Sequence, residues 1–82
     1  MIQVRYFAGA RAAAGVAAET IAVPAGSTVQ DVLDLLSTRH GARLARVLTA
    51  ASFLVDGIAV RDKSAPLRDG VELDVLPPFA GG

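Results

Sequence analysis

Val29, Val32, Leu33 and Leu36 recur at i, i+3, i+4 and i+7, and this one helical stripe sets the terms for the rest of the chain. Thr28 stands before it as an N-cap, with Asp31 three residues on, near the positive helix end. Gly41 sits where a C′ glycine would stop the helix. Leu44, Val47 and Leu48 allow a short second helix through Ala50. A stripe of this kind must be buried against something, and what the sequence offers is strands.

Ile2, Val4 and Tyr6 alternate with Gln3 and Arg5, which is strand period. Gly9 is expected to end this run. Ala10 to Ala14, with Arg11 among them, reads as a helical turn closed by Gly15. Alternation returns from Glu19 to Val23 and stops at Pro24, so the first two strands form an antiparallel pair with a long connection. Beyond the helix, Phe53 to Val55 and Ile58 to Val60 flank Asp56-Gly57, a two-residue hairpin signal. Val71 to Leu76 alternates again, with Val71, Leu73 and Val75 inward and Glu72 and Asp74 outward. Pro77-Pro78 then ends the ladder, because neither residue has an N–H to give. The order β-β-α-β-β-β, with one apolar sheet face and one main helix, predicts a two-layer α+β domain over residues 1–76 and an extended tail over 77–82.

The 82 residues suffice for one domain and one core. Formal net charge is zero and no basic tract is present, which argues against nucleic acid as a partner. With no Cys, disulfides, thiolate metal sites and cysteine nucleophiles are excluded. Apolar runs are far shorter than a membrane span, and the start reads as a strand rather than a signal peptide. A soluble cytoplasmic protein with no metal site and no membrane partner is the expectation.

The tail, PPFAGG, is the most informative segment. Fully extended, Pro78 to Gly82 reach about 17 Å. Gly81 and Gly82 lack a Cβ, so they can pass a narrow channel and adopt dihedrals closed to other residues. A terminal carboxylate that must enter another protein's active site needs this kind of arm. A carboxylate is a poor acyl donor, so chemistry on it requires prior activation, for example by adenylation. Two glycines alone are a weak signal, since they also describe an inert floppy end. Their setting, directly behind a strand and a Pro-Pro stop, strengthens it.

The ending LPPFAGG resembles the FPPVxGG ending of the small subunit of molybdopterin synthase, the MoaD-type sulfur carriers of the ubiquitin-like β-grasp superfamily. VRYFAGARAAAG, STVQDVLDLL and LVDGIAVRDKSAPLRDGVELDVLPPFAGG resemble that family's first strand and loop, capped helix, and closing hairpin with last strand, so the likeness covers essentially the whole chain. It implies a ubiquitin-like β-grasp fold and a mechanism. An E1-like adenylyltransferase of the MoeB type would use ATP to adenylate Gly82, and a sulfur donor protein would convert the adenylate to a thiocarboxylate. The tail would then enter a MoaE-type large subunit and give its sulfur to cyclic pyranopterin monophosphate. Gly82 would carry the adenylate and then the sulfur, and Gly81 would give passage. The chain itself would bind no cofactor and supply no catalytic side chain. Leu76 stands where an aromatic is common, and Phe79 where Val is common. Other expectations compatible with the same tail are a sulfur carrier for thiamin or cysteine synthesis, a ubiquitin-like modifier that forms isopeptide bonds, and a plain binding module.

Phe79 and Leu76, flanking Pro77 and Pro78, are expected to anchor the partner, helped by Ile58 or Val60 of a neighbouring strand. Arg11 is expected to fix the first loop by bonding backbone carbonyls near the tail or the sheet edge. His40, the only His, reads as a residue favourable at a helix C-terminus and is given no further role. Asp31, Asp34, Asp56, Asp62, Asp69, Glu72 and Asp74 are assigned to caps, turns and a solvated outward sheet face. Lys63 reads as a loop lysine.

Overall fold

The computed structural model describes residues 1–78. The elements run β1 (Ile2–Tyr6), α1 (Ala8–Ala14), β2 (Ala18–Ile21), α2 (Val29–His40), α3 (Ala42–Ala50), β3 (Ser52–Val55), β4 (Ile58–Ala59) and β5 (Glu72–Leu76). The five strands form one mixed sheet in the order β2-β1-β5-β3-β4. β1 and β5 pair in parallel, and the other neighbours are antiparallel. This is the expected β-grasp arrangement, with the last strand in the middle of the sheet.

The helical stripe does what its spacing requires. Val29, Val32, Leu33 and Leu36 are all buried, joined by Leu44 and Leu48 of α3. They pack on Ile2, Val4, Tyr6, Ile21, Phe53, Leu73 and Val75 of β1, β2, β3 and β5, with Val71 just before β5. α2 begins with a reciprocal capping box: the Asp31 N–H donates to Thr28 Oγ1 at 3.1 Å, and the Thr28 N–H donates to Asp31 Oδ2 at 2.9 Å. Two orphan donors of the helix start are thereby satisfied.

Several boundaries differ by a residue or more from expectation. Gly9 does not end the first strand; β1 stops at Tyr6 and Gly9 lies inside α1. The chain breaks direction at Ala8, whose φ of +47° lies in the left-handed region that disfavours a residue with a Cβ. β2 ends at Ile21, opposite Ile2, rather than at Val23. β5 starts at Glu72 rather than Val71, although the Val71 carbonyl still accepts from the Gln3 N–H at 3.0 Å. Asp56 and Gly57 have φ of +48° and +82°, the pair of positive values that a tight primed hairpin turn demands.

Candidate functional site

The structure fixes where the tail begins. β5 ends at Leu76, which stands opposite Ser52 at the start of β3. On the other side the Phe7 N–H donates to the Val75 carbonyl at 3.2 Å, so the end of β1 lies alongside. Pro77 is partly buried and Pro78 is exposed. The arm therefore leaves from the centre of the sheet, flanked by Phe7 and Ser52. Phe79, Gly81 and Gly82 lie outside the described residues.

Registers show which side chains share the face turned away from the helices. Arg5 stands beside Asp74, Gln3 beside Glu72, Ser52 beside Leu76, and Leu54 beside both Asp74 and Ala59. Ile58 stands beside Val55, which stands beside Leu73 of the core. Ile58, though 73% exposed, is thus on the helix side of the sheet, opposite to Leu76. Val60 packs against the core. Neither can join Leu76 in one contact surface, which corrects the expectation. The apolar residue of β3 nearest Leu76 on the open face is Leu54, with Ala59 beside Leu54 on the far side. Phe7 joins them at the end of β1, 38% exposed, with the Arg5 guanidinium 5.4 Å from its ring centroid. Phe7 was legible only through its phase with Gln3 and Arg5.

Asp74 corrects a second expectation. It faces outward, yet its side chain is only 7% exposed. Arg5 lies over it: Nε donates to Oδ1 at 2.8 Å and Nη2 to Oδ2 at 3.0 Å. Nη2 is also 3.2 Å from Glu72 Oε1. A bidentate guanidinium–carboxylate pair of this kind is both strong and geometrically specific. The Asp74 hydrogen bond leads the forces that raise the pKa of Arg5.

A second ionic cluster lies on the covered face. Glu19 stands beside Val4 and so points toward the core. The Tyr6 hydroxyl donates to Glu19 Oε2 at 2.5 Å, and Arg39 Nη1 donates to Oε1 at 3.1 Å. His40 Nε2 meets Oε2, and the His40 ring stands edge-on to Tyr6 with centroids 5.9 Å apart. Burial pushes the Glu19 carboxyl up, but the bonds from Tyr6, His40 and Arg39 outweigh it and hold the group below its ordinary range. Burial, with the Glu19 bond, pushes the Tyr6 phenol up. His40 thus has a specific carboxylate partner rather than only a helix end to favour. The signal for it was Glu19, a carboxylate in phase with buried Ile21, which had to find donors.

Arg11 is exposed, and its side chain makes no hydrogen bond among the described residues; the tail from Phe79 onward lies outside them. The loop contains a short helix closed by the Gly15 N–H on the Arg11 carbonyl at 2.9 Å. Lys63 places its ammonium 5.3 Å from the Phe53 ring centroid. Among the described residues no group of His, Asp or Glu could hold a metal ion, and no helix is long and apolar enough to cross a membrane.

The model of the ThiS family matches residues 4–82. The chain is 37% identical over 83 residues to a molybdopterin synthase sulfur carrier subunit of Chlamydomonas reinhardtii, covering 99% of this chain and 98% of the relative. It is 34% identical to the human molybdopterin synthase sulfur carrier subunit, covering 99% and 93%. Its fold matches the crystal structure of SAMP1 from Haloferax volcanii with a TM-score of 0.86 and 28% identity, covering 99% of this chain and 98% of the other.

Proposed function

This chain belongs to the ThiS family, and from that premise we propose that it is the sulfur carrier subunit of a molybdopterin synthase. The observation that carries the reading is where the tail begins. β5 is the central strand of the sheet and ends at Leu76, and in the sequence a Pro-Pro stop and a glycine-ended segment follow it. The family match continues along that arm through Gly82, and two relatives matched over nearly their full length bear the sulfur carrier name.

In this reading the Gly82 carboxylate attacks the α-phosphate of ATP in an E1-like adenylyltransferase, and pyrophosphate leaves. Sulfur released by a donor protein at the sulfide level then attacks the same carbonyl carbon, the bond to AMP breaks, and a thiocarboxylate remains. The arm enters a large subunit, where the sulfur passes to cyclic pyranopterin monophosphate. The domain contributes no catalytic side chain. It contributes aim: the arm starts between Phe7 and Ser52, beside the apolar group of Phe7, Leu54 and Leu76, so a partner gripping that face fixes where the arm can reach. Holding a reacting carbonyl in this way replaces a bimolecular encounter with a positioned one.

Intact mass of the chain incubated with ATP, an E1-like enzyme and a sulfur donor is expected to show one oxygen replaced by sulfur, and the Gly82 deletion is expected to show none. In cells, that deletion is expected to abolish molybdoenzyme activity. A thiamin or cysteine requirement in its place would assign the carrier to another pathway. The fit to SAMP1, the small archaeal modifier protein 1 of Haloferax volcanii, favours one second reading, a ubiquitin-like modifier. Adducts between the Gly82 carboxyl and lysines of other proteins would establish it.

A further inference from the structure

We infer that Glu72 is the socket for a basic side chain of the large subunit, so that an Arg or Lys on the partner selects this carrier by its sheet face as well as by its tail. The inference rests on the carrier reading only for the identity of the partner. Its basis is the charge left over on the open face. Arg5 is committed to Asp74 through two hydrogen bonds, 2.8 and 3.0 Å, and that pair neutralises itself. Glu72 touches the same guanidinium through one contact of 3.2 Å and keeps 39% of its side chain exposed.

Asp56 lies next to it. Its N–H donates to the Glu72 carbonyl at 2.9 Å, and its Oδ1 accepts the Glu72 N–H at 2.9 Å. Two carboxylates, Asp74 and Glu72, thus share one guanidinium, with Asp56 a further carboxylate beside the Glu72 backbone. The other outward strand residues here, Gln3, Ser52, Leu54, Ala59 and Leu76, carry no charge.

In the free protein, water compensates the surplus. A partner that closes over Phe7, Leu54 and Leu76 to grip the base of the arm must also strip water from Glu72. An uncompensated carboxylate under an interface opposes binding strongly, whereas one met by a cation supports it and speeds encounter. The spare Glu72 oxygen, beside a fixed guanidinium, marks where that cation must sit. A second copy of this chain fits poorly as occupant, because like faces would bring the same negative surplus together.

The test is affinity of the full chain for its own large subunit, by calorimetry at low and high salt. Variants are Glu72→Gln, Glu72→Lys and, as a control with equal charge change on the exposed side of α2, Asp34→Asn. Thermal melts confirm that each is folded. Glu72→Gln is expected to weaken binding about tenfold, and Glu72→Lys about a hundredfold, with a shallower salt dependence in both. Asp34→Asn is expected to bind as wild type. Reversing the partner's basic residue to Glu should restore binding of Glu72→Lys. Wild-type affinity for Glu72→Lys would overturn the inference, as would equal weakening by Asp34→Asn. If such a chain still acquires sulfur by intact mass, the carrier reading survives that loss. A wild-type dimer that Glu72→Lys dissociates would also overturn it, assigning the face to self-association.

Discussion

Arg5 and Tyr6 are consecutive on β1, point to opposite faces of one sheet, and each ends on a carboxylate brought from another strand. The two sites differ in what they leave unspent. Glu19 receives three donors, from Tyr6, Arg39 and His40, and both its oxygens are occupied within the chain. On the open face Arg5 is pinned by Asp74 while Glu72 is only partly engaged. A closed cluster can serve only the fold, because no capacity remains for a partner. An open one is available, and it lies beside the strand that launches the tail. Adjacent residues thus divide the labour of one strand between holding the domain together and presenting it.

The comparison breaks most visibly at Glu19. Glu19→Ala leaves the buried Tyr6 hydroxyl, His40 and Arg39 without their acceptor. It is expected to cost about 3 kcal/mol of stability in urea denaturation, a large share of what a domain this small commands. Binding to a partner over the open face should not change. If stability is untouched, the cluster is not a closed fold element and the contrast with Arg5 fails.

The same group sharpens the contrast through pH. The folded-state pKa of Glu19 is held below its ordinary 4.5. Around pH 4.5 the unfolded chain takes up a proton on this carboxyl while the folded chain does not. The contribution of Glu19 is therefore whole above that pH, and it drains as pH falls toward the folded value. Glu19→Gln should flatten the stability profile below about pH 4.5 relative to wild type. An acid limb identical in the two proteins would show that other carboxylates control it.

Much of this architecture was legible and some was not, for identifiable reasons. The stripe Val29, Val32, Leu33 and Leu36 and the Thr28–Asp31 cap declare themselves because helix periodicity and capping are local. The alternation of β1 and β5 likewise assigned Tyr6 and Val75 to the core. Pairing between strands is not local. Only the parallel register of β1 on β5 brings Arg5 over Asp74, so an outward aspartate near the chain's end looked solvated. The hairpin Asp56-Gly57 was plain, but which face Ile58 takes depends on its opposition to Val55, and that was missed. Glu19 sat in the buried phase of its strand, a visible conflict between charge and burial. Its resolution needed the end of α2 to fold back beside it.

Tyr6→Phe makes a smaller change in the closed cluster. One neutral donor to Glu19 is lost, while Arg39 and His40 remain. The expected cost is about 1 kcal/mol. Because the Tyr6 phenol is raised above its ordinary 10.0, the unfolded chain ionises first. Wild-type stability from this group is complete below pH 10 and falls as pH rises beyond it. The Phe variant should lack that alkaline loss, measured by urea midpoints from pH 8 to 11. An unchanged alkaline limb would mean the phenol is not held as the structure places it.

Arg5→Met is expected to have the smallest effect on stability and to separate the two sites most cleanly. Asp74 is buried because the Arg5 side chain lies over it, and Arg5 is itself 45% exposed. Removing the guanidinium reopens Asp74 to water, so the carboxylate is rehydrated rather than stranded. An ion pair whose cation is half exposed adds little to folding once its carboxylate can return to water. The urea midpoint should therefore move less than for Tyr6→Phe. The loss should appear in binding, because a partner closing over the face would then cover Asp74 and Glu72 with no cation from this chain. The partner's one basic residue cannot satisfy both. A variant that unfolds as readily as Glu19→Ala would show that Arg5 belongs with the fold. The division between the two faces of β1 would then be gone.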